Sequence, residues 1–260
     1  MKGDDIRRIV LRESRRANVG HIGSSLSIAD ILAALYGEIM RIPDPDDPDR
    51  DRFVLSKGHA ALALYAAFAL RGWISDADLA TYCGDDSRLG VHPERSLVGV
   101  DFCTGSLGQG LSMAAGAALA ARLAGSDRRV FALISDAELN EGSTWEAVMF
   151  AAHHRLSNLH VFVDLNGQQA LGYTADVMAI PNVAERFRTF GWHAVDVDGH
   201  DGIAMTTAVR DGAPQSLPHV FVAHTTFGKG VSYMQGLIKW HYMPMSADEY
   251  AQAMSEVGAE

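Results

Sequence analysis

Apolar residues at Ile6, Ile9 and Val10, with Ser14 continuing the stripe, recur at the spacing of an amphipathic helix and predict one over residues 4–17. The stretch NVGHIGSS (18–25) interrupts it with two glycines. Ser24, Ser25 or Ser27 is then placed to cap a second helix, which runs through Ala29, Leu32, Ala33 and Leu35 to about Met40. The acidic, proline-rich run PDPDDPDRD (43–51) reads as a surface loop. Beyond it, short continuously apolar runs alternate with longer helical patterns. Strands are predicted at 52–56, 129–135, 159–164, 192–196 and 219–224, and helices at 58–72, 112–125, 141–156, 183–190 and 202–210. Strands without polar alternation must be covered on both faces, which implies a parallel sheet between helical layers. The expected fold is therefore α/β, a doubly wound, mainly parallel sheet with helices on both faces, forming one domain over residues 1–260.

Composition narrows the classes of function. Of 260 residues, 48% are hydrophobic and 21% charged, which excludes disorder. Lys and Arg number 22 against 32 Asp and Glu, a formal charge of −10, which argues against a nucleic-acid surface. No segment approaches the roughly 20 uninterrupted apolar residues of a membrane span, and the opening MKGDDIRRIV is charged where a signal peptide is apolar. Cys83 and Cys103 lack disulfide-framework or zinc spacing, so a reducing cytoplasm is expected.

In doubly wound sheets ligands bind beyond the carboxyl ends of strands. There the chain carries Asp136-Ala137-Glu138-Leu139-Asn140-Glu141-Gly142 and, about thirty residues on, Asp164-Leu165-Asn166-Gly167-Gln168. These two oxygen-rich loops suit a hard cation bridging to phosphate oxygens, and equally suit helix caps and turns. Histidines stand beside glycine in Gly20-His21, Gly58-His59 and Gly90-Val91-His92. Gly105-Ser106-Leu107-Gly108-Gln109-Gly110 offers free amides before a helix but is not GxGxxG, and no P-loop is present.

In order, NVGHIGSS, LSKGHA, GVHPE, TGSLGQG, SDAELNEGSTWEA, VDLNGQQ, VDGHD, TTFGKGVS and KWH span residues 18–241, and together they resemble the thiamine-diphosphate-binding N-terminal half of transketolase. The resemblance implies that Asp136, Asn166 and the backbone carbonyl of Gln168 hold Mg²⁺ (or Ca²⁺ or Mn²⁺) against the diphosphate. It implies that His59, Gly105, Ser106, Leu107, Ala137 and His241 contact thiamine diphosphate, and that His21, His59, His92 and His241 are the catalytic set. Glu141 matches an interface glutamate linking paired active sites. Two departures stand out, Ser135 and Ala137 in place of the glycines of the family's GDG, and a methyl at 137 crowds an amide that approaches phosphate.

The chain stops at Glu260, where transketolases continue into a pyrimidine-binding domain. The implied protein is the first polypeptide of a split transketolase, moving a two-carbon ketol unit from a ketose to an aldehyde. It would need a separately encoded C-terminal, pyrimidine-domain subunit. The expected assembly is α₂β₂, with the small-residue helices 58–72 and 112–125 suited to close packing. Histidines titrating near neutrality would carry the proton transfers. Transfer to a carrier protein or specialised acceptor is the alternative chemistry, and a non-catalytic scaffold the alternative of another class.

Overall fold

A computed structural model describes residues 1–211 and 216–258; residues 212–215 and 259–260 of the expected 1–260 domain lie outside the described residues. In chain order the elements are α1 (Gly3–Ala17), α2 (Ile22–Ser27), α3 (Ala29–Ala34), β1 (Arg52–Leu55), α4 (Ala61–Leu70), α5 (Asp76–Leu79), α6 (Gly110–Leu123), β2 (Val130–Ser135), α7 (Gly142–His153) and β3 (Leu159–Leu165). There follow β4 (Gln168–Gln169), β5 (Gly172–Tyr173), α8 (Thr174–Met178), α9 (Val183–Thr189), β6 (His193–Asp198), α10 (Gly202–Asp211), β7 (His219–His224), α11 (Lys239–Tyr242) and α12 (Ala247–Glu256).

The main sheet is five-stranded and parallel, in the order β1-β2-β3-β7-β6. Its two faces differ in chemistry. Phe53, Leu55, Phe131, Leu133, Phe162 and Phe221 point to the side covered by α1–α4, α10 and α12. Val54, Val130, Ala132, Ile134, Val161, Val163, Val220 and Val222 point to the side covered by α6, α7 and α9. Alternating bulky and branched residues along doubly buried strands lets each layer interdigitate with its own helices. Among the described residues no helix is long and apolar enough to cross a membrane.

Local differences from the predicted elements have identifiable causes. Ser24, Ser25 and Ser27 lie inside α2 and are not its caps; the cap position belongs to His21, in left-handed backbone at φ 60°. The helix expected to continue to Met40 breaks at Ile28 and ends in a π turn over Leu35–Ile39. The helix expected over 58–72 opens with a 3₁₀ turn at Gly58–Ala60, and all its residues from Ala61 to Phe68 are buried. From Ala61 to Phe68 the close packing expected of this helix is thus met within this chain, as helix–sheet core. The other small-residue helix, α6, does keep an open side at Ser112, Gly116 and Leu123, the last 78% exposed.

Candidate active site

The carboxyl ends of β1, β2, β3 and β7 converge on a cavity of about 200 Å³. His21, His59, His92, Gly105, Leu107, Ala137, Asn166, Gln168 and His241 all line it, joined by Ser24, which the sequence offered only as a helix cap, and by Lys57, which it did not single out. Ser106 is exposed and Asp136 is buried, 1% exposed, and neither is part of the lining. Residues that lie far apart in the chain thus meet where a parallel sheet opens.

Three histidines form a triangle on one side, with ring centroids 5.6 Å apart for His21–His59, 5.2 Å for His21–His241 and 5.6 Å for His59–His241. The His21 amide donates to the His241 carbonyl at 3.2 Å, so α2 and α11 are tied at the same point. His59 Nε2 is bonded to Ser24 Oγ at 2.9 Å, and Phe227 stacks on His241 at 6.1 Å and 13°. Burial first, then the neighbouring His92, lowers the His21 pKa; burial and then Lys57 hold His59 well below the ordinary imidazole range. His241 is pushed down to about 4 by burial, His21 and Lys57. All three imidazoles are thus shifted down from the ordinary value, toward the neutral form. Nδ1 of both His21 and His241 is buried with no partner among the described residues, as is Oε1 of Gln168.

Opposite stand the two acidic loops. Asp136 Oδ1 accepts from the Ala137 amide at 2.9 Å, and Oδ2 from the Gly167 amide at 2.8 Å and Thr174 Oγ1 at 3.0 Å. Its pKa is pushed up to about 7, by burial and then by the charge of Asp164. Asp164, which the sequence placed in an oxygen-rich loop without a role of its own, has a side chain 0% exposed and is a hub. Lys57 Nζ, Ser27 Oγ (2.8 Å), Asn166 Nδ2 (2.8 Å) and Thr225 Oγ1 all donate to it. By taking the amide nitrogen of Asn166, Asp164 turns that residue's carbonyl oxygen the other way, where it accepts from the Gln168 amide at 2.9 Å. The available signal was Lys57 itself, a lysine inside the apolar run FVLSKGHAALAL, which demands a buried counter-charge.

A second hub, also in one of the oxygen-rich loops but given no role by the sequence, is Glu138, 0% exposed, which accepts from Ser56 Oγ and from the amides of Ser135 and Gly108, both at 2.9 Å. It pins the Gly105–Gly110 loop over the end of β2. Gly108 has φ +81°, and a Cβ there would stand 2.6 Å from Glu141 and Ser143; only glycine fits. Glu141, the expected interface glutamate, is exposed.

Whether these residues suit a metal diphosphate is a question of donor chemistry. Among the described residues no group of three His, Cys, Asp or Glu could hold a metal ion. Mg²⁺ bound through phosphates needs fewer, because it takes one or two carboxylates or carbonyls and completes its shell with phosphate oxygens and water. Asp136, whose charge is disfavoured by burial and a neighbouring carboxylate until a cation arrives, matches that requirement, as do the hard oxygens of Asn166 and Gln168. The unpartnered His21, His241 and Gln168 atoms match a polar organic ligand above it. The site fits the group.

The family described as transketolase, thiamine diphosphate binding domain, matches residues 3–260. The chain belongs to the transketolase family. It is 40% identical over 259 residues to the 6-deoxy-6-sulfo-D-fructose transketolase subunit SqwG of Clostridium sp. (strain MSTE9), covering 98% of this chain and 94% of that one. It is 39% identical over 245 residues to one of the named subunits of apulose-4-phosphate transketolase from Phocaeicola vulgatus, covering 93% and 87%. The transketolase of Campylobacter jejuni superposes with a TM-score of 0.92 at 31% identity. The match takes in 98% of this transketolase-family chain but 42% of that longer enzyme. Relatives named as subunits are thus matched nearly end to end, and the longer transketolase over two fifths of its length.

Proposed function

We propose that this chain is the N-terminal, thiamine-diphosphate- and Mg²⁺-dependent subunit of a two-component transketolase that moves a two-carbon ketol unit from a ketose to an aldehyde. A separately encoded partner supplies the pyrimidine-binding domain, and two copies of each form an α₂β₂ assembly. The observation that carries this reading is the facing of three clustered histidines, two with buried ring nitrogens unpartnered among the described residues, against the Asp136–Asn166 loop pair at the carboxyl ends of the sheet.

In this reading Asp136, the Asn166 side-chain oxygen and the Gln168 carbonyl hold Mg²⁺, and the Gly105–Leu107 loop and Ala137 border the diphosphate. Bound thiamine diphosphate supplies the electron sink that carbon–carbon cleavage beside a carbonyl requires. The chain's own residues do the rest. His21, His59 and His241, neutral through burial, accept protons from hydroxyls or donate hydrogen bonds to them, and His92 faces incoming substrate from the rim. The clustered rings and Phe227 exclude water. Two exposed free cysteines accord with a reducing cytoplasm, and the exposed Glu141 and the open side of α6 accord with contact between polypeptides.

A scaffold reading draws on one observation: the Ala137 amide, which a diphosphate would seek, is bonded to Asp136. Native mass spectrometry of the tagged chain from its own cells, with thiamine diphosphate and Mg²⁺, separates the two. A complex with a second polypeptide and bound cofactor is expected. A bare chain without cofactor overturns the catalytic reading, and robust ketol transfer by the pure isolated chain overturns the two-component one.

A further inference from the structure

The Gly199-His200-Asp201 turn lies in one of the sequence motifs, yet His200 does not line the cavity. Its ring is held from both ends. Nε2 accepts a hydrogen bond from the Thr226 backbone amide at 2.9 Å, which leaves the ring proton on Nδ1, and Nδ1 is 2.7 Å from Asp30 Oδ2. Asp30, on α3, also receives the guanidinium of Arg7 on α1, whose side chain is 4% exposed. The carboxylate therefore fixes the tautomer of the imidazole, and the imidazole presents a bare nitrogen to one amide. A carboxylate orienting a histidine in this way serves, in metal and catalytic sites alike, to aim the far nitrogen.

What that nitrogen holds is the segment after β7, which touches the site three ways. Thr225 Oγ1 donates to Asp164, the residue that orients Asn166. Phe227, 1% exposed, lines the cavity and stacks on His241. The Gly228 amide donates to the Gly23 carbonyl at 3.0 Å, at the glycine whose absent side chain makes room for the Phe227 ring. Thr226, between these anchors, has its amide bonded to His200.

We propose that His200 is a positioning residue for the cofactor site, acting through Thr226 to hold Thr225 and Phe227 in register with Asp164 and His241. This deepens the reading of the site as a thiamine-diphosphate pocket and rests on it. Two substitutions divide the ring's functions. His200→Gln places an oxygen acceptor near the Nε2 position and keeps the Thr226 bond, whereas His200→Asn places a donor near Nδ1, keeping Asp30 and losing Thr226.

Amide exchange is followed by mass spectrometry over residues 225–228 in the full-length chain, and half-saturation by thiamine diphosphate with Mg²⁺ in the complex isolated from native cells. His200→Asn is expected to speed exchange roughly three- to tenfold, the worth of one hydrogen bond, and to weaken cofactor half-saturation by a similar factor. His200→Gln stays near wild type in both. If the two variants behave alike, the Thr226 bond is not what positions the segment and the proposal fails; if His200→Gln is the damaged one, the role belongs to the Asp30 contact and the proposal fails likewise. A wild-type complex that binds no cofactor overturns the reading of the pocket and with it what the clamp serves; the exchange contrast still decides whether the clamp exists.

Discussion

Replacing Asp164 with Asn is the most informative single perturbation of this site. The substitution keeps shape and removes charge at a carboxylate that receives four donors from four parts of the chain: Ser27, Lys57, Asn166 and Thr225. Lys57 and Asp164 both have side chains 0% exposed, so solvent cannot take over either role. Breaking a buried pair by removing one partner costs about 3–5 kcal/mol, because the remaining charge is left uncompensated. Ser27 Oγ has a second acceptor in the Ser24 carbonyl at 3.0 Å, which limits the further loss from orphaned donors. The expected destabilisation of Asp164→Asn, and separately of Lys57→Met, is therefore about 3–5 kcal/mol. The double variant Lys57→Met with Asp164→Asn, which removes both charges, should lose less than the sum by about 2 kcal/mol or more. Urea denaturation followed by tryptophan fluorescence reads all four corners of the cycle. Additive losses, or single losses below about 1 kcal/mol, refute the assignment of this pair as the core of the site.

Other expectations follow from the same geometry. The folded chain holds His241 and His219 near pKa 4, against 6.5 for the ordinary imidazole. The unfolded chain then binds more protons between these values, so these two residues lower stability as pH drops from about 6.5 toward 4, by up to roughly 3 kcal/mol each, while Asp136, held near 7, acts in the opposite direction; the urea midpoint of His219→Asn should therefore fall less between pH 7.5 and pH 5 than that of the unsubstituted chain, and an equal fall in both contradicts this. Gly23→Ala drives a methyl into the Phe227 ring and should cost about 1–3 kcal/mol through overpacking, and a melting temperature unchanged from wild type argues against that contact. Asp136→Ala should abolish thermal stabilisation by thiamine diphosphate with Mg²⁺ in the native complex; retained stabilisation removes Asp136 from the metal site.

Sequence periodicity alone determined a large part of this molecule. The five long strands, the helices between them and the acidic loops at strand ends are short-range features, written in patterns of two, three or four residues, and each recurs within a few positions of its predicted place. The ordered motifs likewise marked nine cavity-lining residues, because loops at the open end of a parallel sheet leave a compact signature. Tertiary structure decided what depends on distance and burial. No local pattern pairs Lys57 with Asp164 across 107 residues, or makes Glu138 the acceptor of both a strand end and a glycine loop. No local pattern lets β7 enter between β3 and β6, the step that brings Thr225 and Phe227 to the site. The histidines give the sharpest contrast. Their positions were legible in the chain, but their charge was not, since an imidazole's proton is set by the water it loses and the neighbours it gains, and both are settled only when the rings are buried together.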